Sequence, residues 1–417
     1  MFDFRTWSKA CFKMKFLFCC LASPGYVNPA VGIALQLCER GHEVAFVTDI
    51  ACSELLSRQG LRRIPLGAVD GSSFQVPRWF DAPSVALQMK HISFALTQFQ
   101  PDVLVGQQFT FGPLLIGQHR HIPVGIFGLF CFLWPAHEPD PGATLSLTQQ
   151  THLWRHKEML GSYNQVRTLL GFRPIEATCQ ESPLLGDAFF LRNIPEIQDA
   201  ADLPERVHLV GDCLWEENDS CPEVDAWLEA ALAAKSPIVY VHHAREFDSP
   251  NFWPAIAALA EKNIRVAASV GRMDRKPTDI PPTFFVRDHV PQTRVLRHAS
   301  AMIGSASTTA VLGALTNGVP CVFLSRNSSE EPDVAAACQA AGVAKMLPAQ
   351  SSSSQIAEEL RHAIGDPEMQ QVSRRIASSF AGFDGRNRAA SLLEELGETK
   401  APLSRSLVDP GARQVSL

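Results

Sequence analysis

In two separate stretches of this 417-residue chain, short apolar runs alternate with amphipathic helical ones, and no other feature restricts the fold as much. Lys15 to Leu21 reads as a buried strand, Ala22 to Asn28 as a tight loop, Pro29 to Arg40 as an amphipathic helix stopped before Gly41, and Glu43 to Thr48 as the next strand. Asn28 suits the cap of that helix and Pro29 its first position. A strand–loop–helix–strand opening argues for a parallel sheet covered by helices, whose ligand sites lie outside the carboxyl ends of the strands. Pro101 to Gln107 (PDVLVGQ) and Ile122 to Phe127 supply further strands, with a short helix from Phe111 to His119 between them. Ala188 to Leu191 and Val207 to Val210 follow as short strands. A second rhythm begins at Ile238 with IVYVHH, a helix from Phe252 to Lys262 and the strand IRVAASV. Phe284 to Val286, Met302-Ile303 and Cys321 to Leu324 continue it.

Such a length exceeds what one core usually supports, which points to two domains. The acidic, polar stretch Glu216 to Glu223 (EENDSCPE) marks the boundary. The expected division is an N-terminal extension at 1–14, a first domain at 15–215, a linker at 216–235 and a second domain at 236–385. A C-terminal helix at 386–400 then returns to the first domain, and 401–417 forms a disordered tail. Ser351 to Ser354 reads as a small low-complexity loop.

Charged residues make up 19% and hydrophobic ones 46%, an ordinary globular mix, and the formal net charge of −6 carries no electrostatic footprint for nucleic acid. No basic cluster is present to hold a membrane surface. The eleven cysteines are scattered without a C-x-x-C pair, so neither a metal site nor a disulfide framework is indicated, and a reducing, cytoplasmic compartment fits. Phe16 to Ala22 is too short for a secretion signal and runs directly into a turn. The aromatic run Val124 to Trp134 (VGIFGLFCFLW) is too short and too glycine-containing for a membrane helix. It reads either as strand plus core or as the wall of an apolar acceptor pocket, with Phe127, Phe130, Phe132 and Trp134 as the contacts.

The segment Ile303 to Asp333 contains the clearest candidate ligand site. It opens on Ser305, Ser307, Thr308 and Thr309, passes into a helical pattern that stops at Asn317-Gly318, and continues through Pro320 into a strand. A helix beginning there presents free N–H groups and the positive end of its dipole to an anion such as phosphate. Serine and threonine at a helix start also cap it without any ligand, so both readings stand. Near the end of the first strand of the second rhythm lie His242, His243 and Arg245, and imidazole and guanidinium are good phosphate partners.

Taken in order, SPGYVNPAVGIALQLCERGHEVAFVTD, HLVGDCLW, PIVYV, FVRDHVPQTRVLRHASAMI, VLGALTNGVPCVFL and EEPDVAAACQAAGVA resemble the motifs of small-molecule glycosyltransferases of the GT-B fold. These are the UDP-glycosyltransferase-like enzymes that include antibiotic and macrolide glycosyltransferases, and the resemblance runs from about Lys15 to Leu396. It implies an α/β architecture of two doubly wound Rossmann-like domains facing a cleft, with the acceptor in the first and a nucleotide-sugar, UDP- or dTDP-linked, in the second. It implies no further cofactor. It also implies that Gln292 contacts the nucleobase, that Ser305 to Ala310 occupy the phosphate-binding segment, and that Glu330 and Glu331 stand where the sugar is held.

Departures from that pattern fall on the chemistry. Tyr26 stands where the family's basic histidine follows the first-loop glycine, and Gln107 where its partner aspartate stands. A phenol of ordinary pKa near ~10 is a poor base at neutral pH. Ser305 replaces the phosphate-contacting histidine, Gly313 the ribose-binding glutamate, and His242-His243-Ala244-Arg245 the usual Ser-Leu-Gly-Thr turn. Tyr26, His242, His243 and Asp248 are therefore the catalytic candidates, with Glu330 a further candidate base and Gln107 beside the acceptor. Three readings stay open: a glycosyltransferase with a non-standard site, a non-catalytic GT-B protein that assists a partner, and a GT-B enzyme with altered group-transfer chemistry.

Overall fold

The computed structural model describes residues 13–67, 73–76, 80–140, 142–217, 221–243, 249–271, 277, 279–324 and 330–405. The first sheet contains β1 (Lys15–Cys20), β2 (Glu43–Thr48), β3 (Arg62–Arg63), β4 (Val103–Gln107), β5 (Val124–Phe127), β6 (Ala188–Leu191) and β7 (Val207–Leu209). The second contains β8 (Ile238–His242), β9 (Arg265–Ser269), β10 (Phe285–Arg287), β11 (Ala301–Gly304), β12 (Cys321–Leu324) and β13 (Ala344–Leu347). Every pairing is parallel, in the orders β3-β2-β1-β4-β5-β6-β7 and β10-β9-β8-β11-β12-β13.

Parallel strands need long crossovers, and the helices that make them cover both faces of each sheet. That is why β1 is apolar on both sides. Leu17 and Cys19 enter one core, while Phe16, Phe18 and Cys20 enter the other, where Phe18 stacks on Phe46 at 5.0 Å. Both sheets reverse their strand order once, between β1 and β4 and between β8 and β11. At such a reversal neighbouring crossovers run in opposite directions and leave a crevice at the carboxyl ends.

The first helix spans Pro24–Glu39, five residues earlier than the sequence reading, with Ser23 as its extended N-terminal residue. Pro24 already supplies the fixed φ that a first helical position favours, so Asn28 and Pro29 fall inside the helix. Pro29 has no N–H to donate to the carbonyl four residues back, that of Gly25. Ser352 caps the helix Ser353–Gly365 reciprocally with Gln355, so the serine run is a helix start rather than a loop. The stretch 216–235 also differs from a plain linker. It contains the helix Pro222–Ala233, whose Val224, Leu228 and Ala231 are buried.

Met14 is buried and pairs its N–H with His42 Nδ1 at 3.1 Å, so the fold begins before Lys15. Residues 1–12 lie outside the described residues. The last helix, Gly385–Thr399, lies against the first. There Glu394 binds Arg40 at 2.6 Å and His42 at 2.7 Å, above the buried Leu393 and Leu396. Beyond it, Leu403 is buried and its N–H reaches the Asp187 carbonyl at 2.8 Å, while Arg405 bonds the carbonyls of Leu203 and Pro204. Residues 401–405 are therefore docked on the first domain rather than forming part of a disordered tail.

The first helix also meets the segment leaving β7 at a place where no side chain fits. A Cβ on Gly32 would stand 2.6 Å from Trp215 Cβ and 3.0 Å from Arg386 Cδ. Gly32→Ala should therefore lower stability by about 1–3 kcal/mol, as overpacking of a tight contact does, read as a lowered denaturation midpoint. Unchanged stability would show that Trp215 is free to move.

Candidate active site

Two residues flagged by the sequence stand at the reversal point of the first sheet. Tyr26 lies in the first turn of the Pro24 helix, after β1, and Gln107 ends β4. Gln107 is buried, with its Oε1 accepting from the Leu21 N–H at 2.8 Å and its Nε2 donating to the Tyr26 carbonyl at 2.9 Å. It clamps the β1 loop to β4, and so positions Tyr26.

The aromatic run resolves mostly into core. Phe130, Phe132 and Trp134 are 0%, 6% and 3% exposed, too little to form the wall of an open pocket. Phe132 meets Trp134 at 5.6 Å, and both rings pack edge-on to Phe189 at 5.8 Å. Van der Waals packing between three rings consumes the faces that an acceptor would use. Phe127 alone of the four lines the small space beside Tyr26 and Gln107, a cavity of about 10 Å³.

At the reversal point of the second sheet stand His242, His243, Ser305 and Ser307. His242 ends β8, and its Nδ1 lies 3.5 Å from Ser307 Oγ. His243 is turned into the protein, 2% exposed, with Phe252 at 4.9 Å and Trp253 at 5.6 Å. Its ring thus packs on the two aromatic residues that begin the helix Phe252–Ala257. Arg245 and Asp248 lie outside the described residues.

The helix Thr308–Thr316 begins at this crevice, and its N-terminal residue Ser307 makes no side-chain capping bond. Its start faces the first domain directly. Thr308 Oγ1 accepts from the Phe130 N–H at 3.3 Å, and a Cβ on Gly25 would lie 3.5 Å from Thr309 Oγ1. The starts of the Pro24 and Thr308 helices thus approach each other across the domain boundary. Ser305 is buried beside them.

Gln292 donates to the Thr309 carbonyl at 3.3 Å, and its backbone N–H is held by Glu216 at 3.0 Å. A Cβ on Gly313 would meet Gln292 Nε2 at 2.9 Å. The glycine at 313 and this placement of Gln292 are coupled, because a glutamate there would displace the amide. Glu330 and Glu331 begin the helix Glu331–Ala340, where the dipole favours negative charge. On the same helix Asp333 bridges back to the first domain, binding His152 at 2.9 Å and Arg155 at 2.6 Å. Burial pushes its carboxyl up, but the bonds from His152 and Arg155 outweigh this and hold it below the ordinary carboxylate value.

One residue of the site escaped the sequence reading. Arg192, directly after β6, is 2% exposed and lines the cavity with Tyr26 and Gln107. Its Nε donates to the Gly128 carbonyl at 3.1 Å, whereas Nη1 has no hydrogen-bond partner. Burial lowers its pKa, opposed by the nearby Cys213, Glu330, Tyr26 and Asp212. The signal that could have found it is a lone arginine ending the apolar run AFFL. Among the described residues no group of three or more His, Cys, Asp or Glu side chains could hold a metal ion, and no helix is long and apolar enough to cross a membrane.

Two outcomes follow from these contacts. Gln107→Ala should destabilise the protein by about 1–3 kcal/mol, because the buried Leu21 N–H loses its partner and the half-buried Tyr26 carbonyl loses one of its donors; calorimetric unfolding checks it, and a change under about 0.5 kcal/mol would remove the clamp. Asp333→Asn should cost about 1–3 kcal/mol at neutral pH. Because the folded pKa is depressed, that stabilisation is present above the ordinary value of 3.8 and is lost as pH falls through the lower folded value. The stability gap between wild type and variant should therefore close in acid.

No model of a known protein family matches the sequence. The chain is 24% identical over 412 residues to the 4'-demethylrebeccamycin synthase of Lentzea aerocolonigenes, covering 89% of this chain and 97% of that protein. It is 26% identical over 344 residues to the demethyllactenocin mycarosyltransferase of Streptomyces fradiae, covering 73% and 69% respectively. Among solved structures, the glycotransferase of kitacinnamycin superposes with a TM-score of 0.71 at 16% identity, over 92% of this chain and 98% of that one. The chain has the GT-B fold and is by sequence a homologue of the antibiotic-type glycosyltransferases.

Proposed function

We propose that the protein transfers a sugar from a UDP- or dTDP-linked nucleotide-sugar to a small, largely apolar acceptor in specialised metabolism. The observation that carries this reading is the convergence of the two reversal points, with the start of the Thr308 helix set against Gly25 and Tyr26. Sugar transfer needs a group that stabilises the departing diphosphate at the place where the acceptor arrives. The unbonded N–H groups of the Thr308 helix start, with Ser305, Ser307 and Thr309, supply fixed dipoles there. His242 lies near enough to Ser307 to join them, and Arg245 follows three residues later in the chain.

Glu330 and Glu331 would accept from sugar hydroxyls, and Gln292 would meet the nucleobase edge. In this reading the donor needs no metal or organic cofactor. The mycarosyltransferase of Streptomyces fradiae, by its name a sugar transferase, supports the reaction class. A cytoplasmic location fits the free thiols of the ten described cysteines.

A second reading, a GT-B protein that binds and assists a partner enzyme, is favoured by one observation. Neither Tyr26 nor Gln107 replaces the missing basic pair, and Gln107 is committed to the backbone. Titration calorimetry separates the two. UDP or dTDP should bind, and Thr309→Val should weaken that binding. Incubation with the matching nucleotide-sugars should add a hexose or deoxyhexose mass to an aromatic acceptor. Absence of binding by UDP, dTDP and GDP would overturn the transferase reading.

A further inference from the structure

A guanidinium that is 2% exposed has a single side-chain hydrogen bond, from Nε to the Gly128 carbonyl, although it carries five N–H donors. Removing a charge from water costs several kcal/mol, by order of magnitude, and the nearby Asp212 and Glu330 offset this only in part, since burial still lowers the pKa of Arg192. Folded proteins keep such a group where something else completes it. Arg192 faces a cavity of about 10 Å³ bounded by Phe18, Tyr26, Gln107, Phe127 and Gly128, enough for a single water-sized group. That cavity lies at the reversal point of the first sheet, between the two positions where the resemblance expects a base and its carboxylate partner. In place of a proton acceptor, the chain has a cation.

We propose that Arg192 binds the carboxylate of the acceptor, so that the protein glycosylates an acid that arrives already ionised. This inference rests on the transferase reading and names its substrate class. One carboxylate oxygen would take the place of the single water-sized group beside the Arg192 guanidinium. The other oxygen would face the donor across the gap between Gly25 and Thr309, which must part to admit the molecule. In the transfer that oxygen attacks the anomeric carbon and forms a new C–O bond. The bond from the anomeric carbon to the nucleoside diphosphate breaks, and its electron pair leaves with the diphosphate. No proton is exchanged, so a Tyr26 and a Gln107 in place of a basic pair cost the reaction nothing. The product is a glycosyl ester. Phe127, which also lines this cavity, favours an aryl or otherwise apolar body on the acid.

The test compares 2-naphthoate with 2-naphthamide, which share a shape and differ in charge, by titration calorimetry on the intact protein with and without UDP or dTDP. Naphthoate should bind about tenfold to a hundredfold tighter than the amide, as a charge-assisted bond to a buried cation requires. Arg192→Gln and Arg192→Met should both erase that preference, and Arg192→Lys should keep part of it. Thermal unfolding of each variant establishes that it is folded, and the methionine variant, which removes a buried charge without leaving a void, guards against failure of the glutamine one. Equal binding of the two probes, a preference that survives in both variants, or binding of neither would overturn the proposal. Nucleotide titration is a separate measurement, so loss of the transferase reading would show there while the naphthoate preference stood. If instead UDP-glucuronate but not UDP-glucose needs Arg192, the carboxylate belongs to the sugar and the acceptor assignment falls.

Discussion

Parallel strand pairing is the constraint on which the rest of this molecule depends. Because each crossover must travel the length of the sheet, all carboxyl ends of β1 to β7 lie along one edge, and those of β8 to β13 along another. Each sheet reverses order once, and the reversal opens a crevice that no helix fills. Tyr26 and Gln107 belong to one crevice, His242, Ser305 and Ser307 to the other. The contact of Thr308 with Phe130 and the bridge from Asp333 to His152 and Arg155 hold the two edges together. Two crevices that face each other follow from this arrangement before any particular side chain is considered.

Within the crevice the treatment of buried polar groups separates support from function. Gln107 has lost contact with water and recovered it twice, through Leu21 and Tyr26, so its amide is stabilising. Arg192 has lost contact with water and recovered only part of it. The two side chains line the same cavity, yet Gln107 uses both ends of its amide on the backbone while Arg192 keeps one guanidinium nitrogen without a hydrogen-bond partner. Gly313 shows the same economy of space from the other domain, since the room it leaves is taken by Gln292.

Much of the fold was legible because apolar runs in a doubly covered sheet are near continuous and hard to mistake. The reading of Cys321 to Leu324 coincides with β12, and Glu43 to Thr48 with β2. Short or edge strands were less visible: β13 carries two exposed residues, Lys345 and Met346, and β3 is only two residues long. The location of the Thr308 helix start could be read from hydroxyl residues before a helical pattern. Whether Phe130, Phe132 and Trp134 lined a pocket could not, because an aromatic side chain looks the same in a sequence whether its face meets a ligand or Phe189. The contacts of His243 with Phe252 and Trp253 were illegible for the same reason.

Sequence alone therefore determined the alternation, the two parallel α/β units, and most of the strand ends, since these depend on periodicity along the chain. Tertiary structure decided which polar groups are spent. Burial, hydrogen bonding and charge at Gln107, Arg192 and Asp333 arise from residues many positions away, among them Leu21, Gly128 and Arg155. Desolvation and pairing are properties of a surrounding in three dimensions, and a one-dimensional pattern does not carry them.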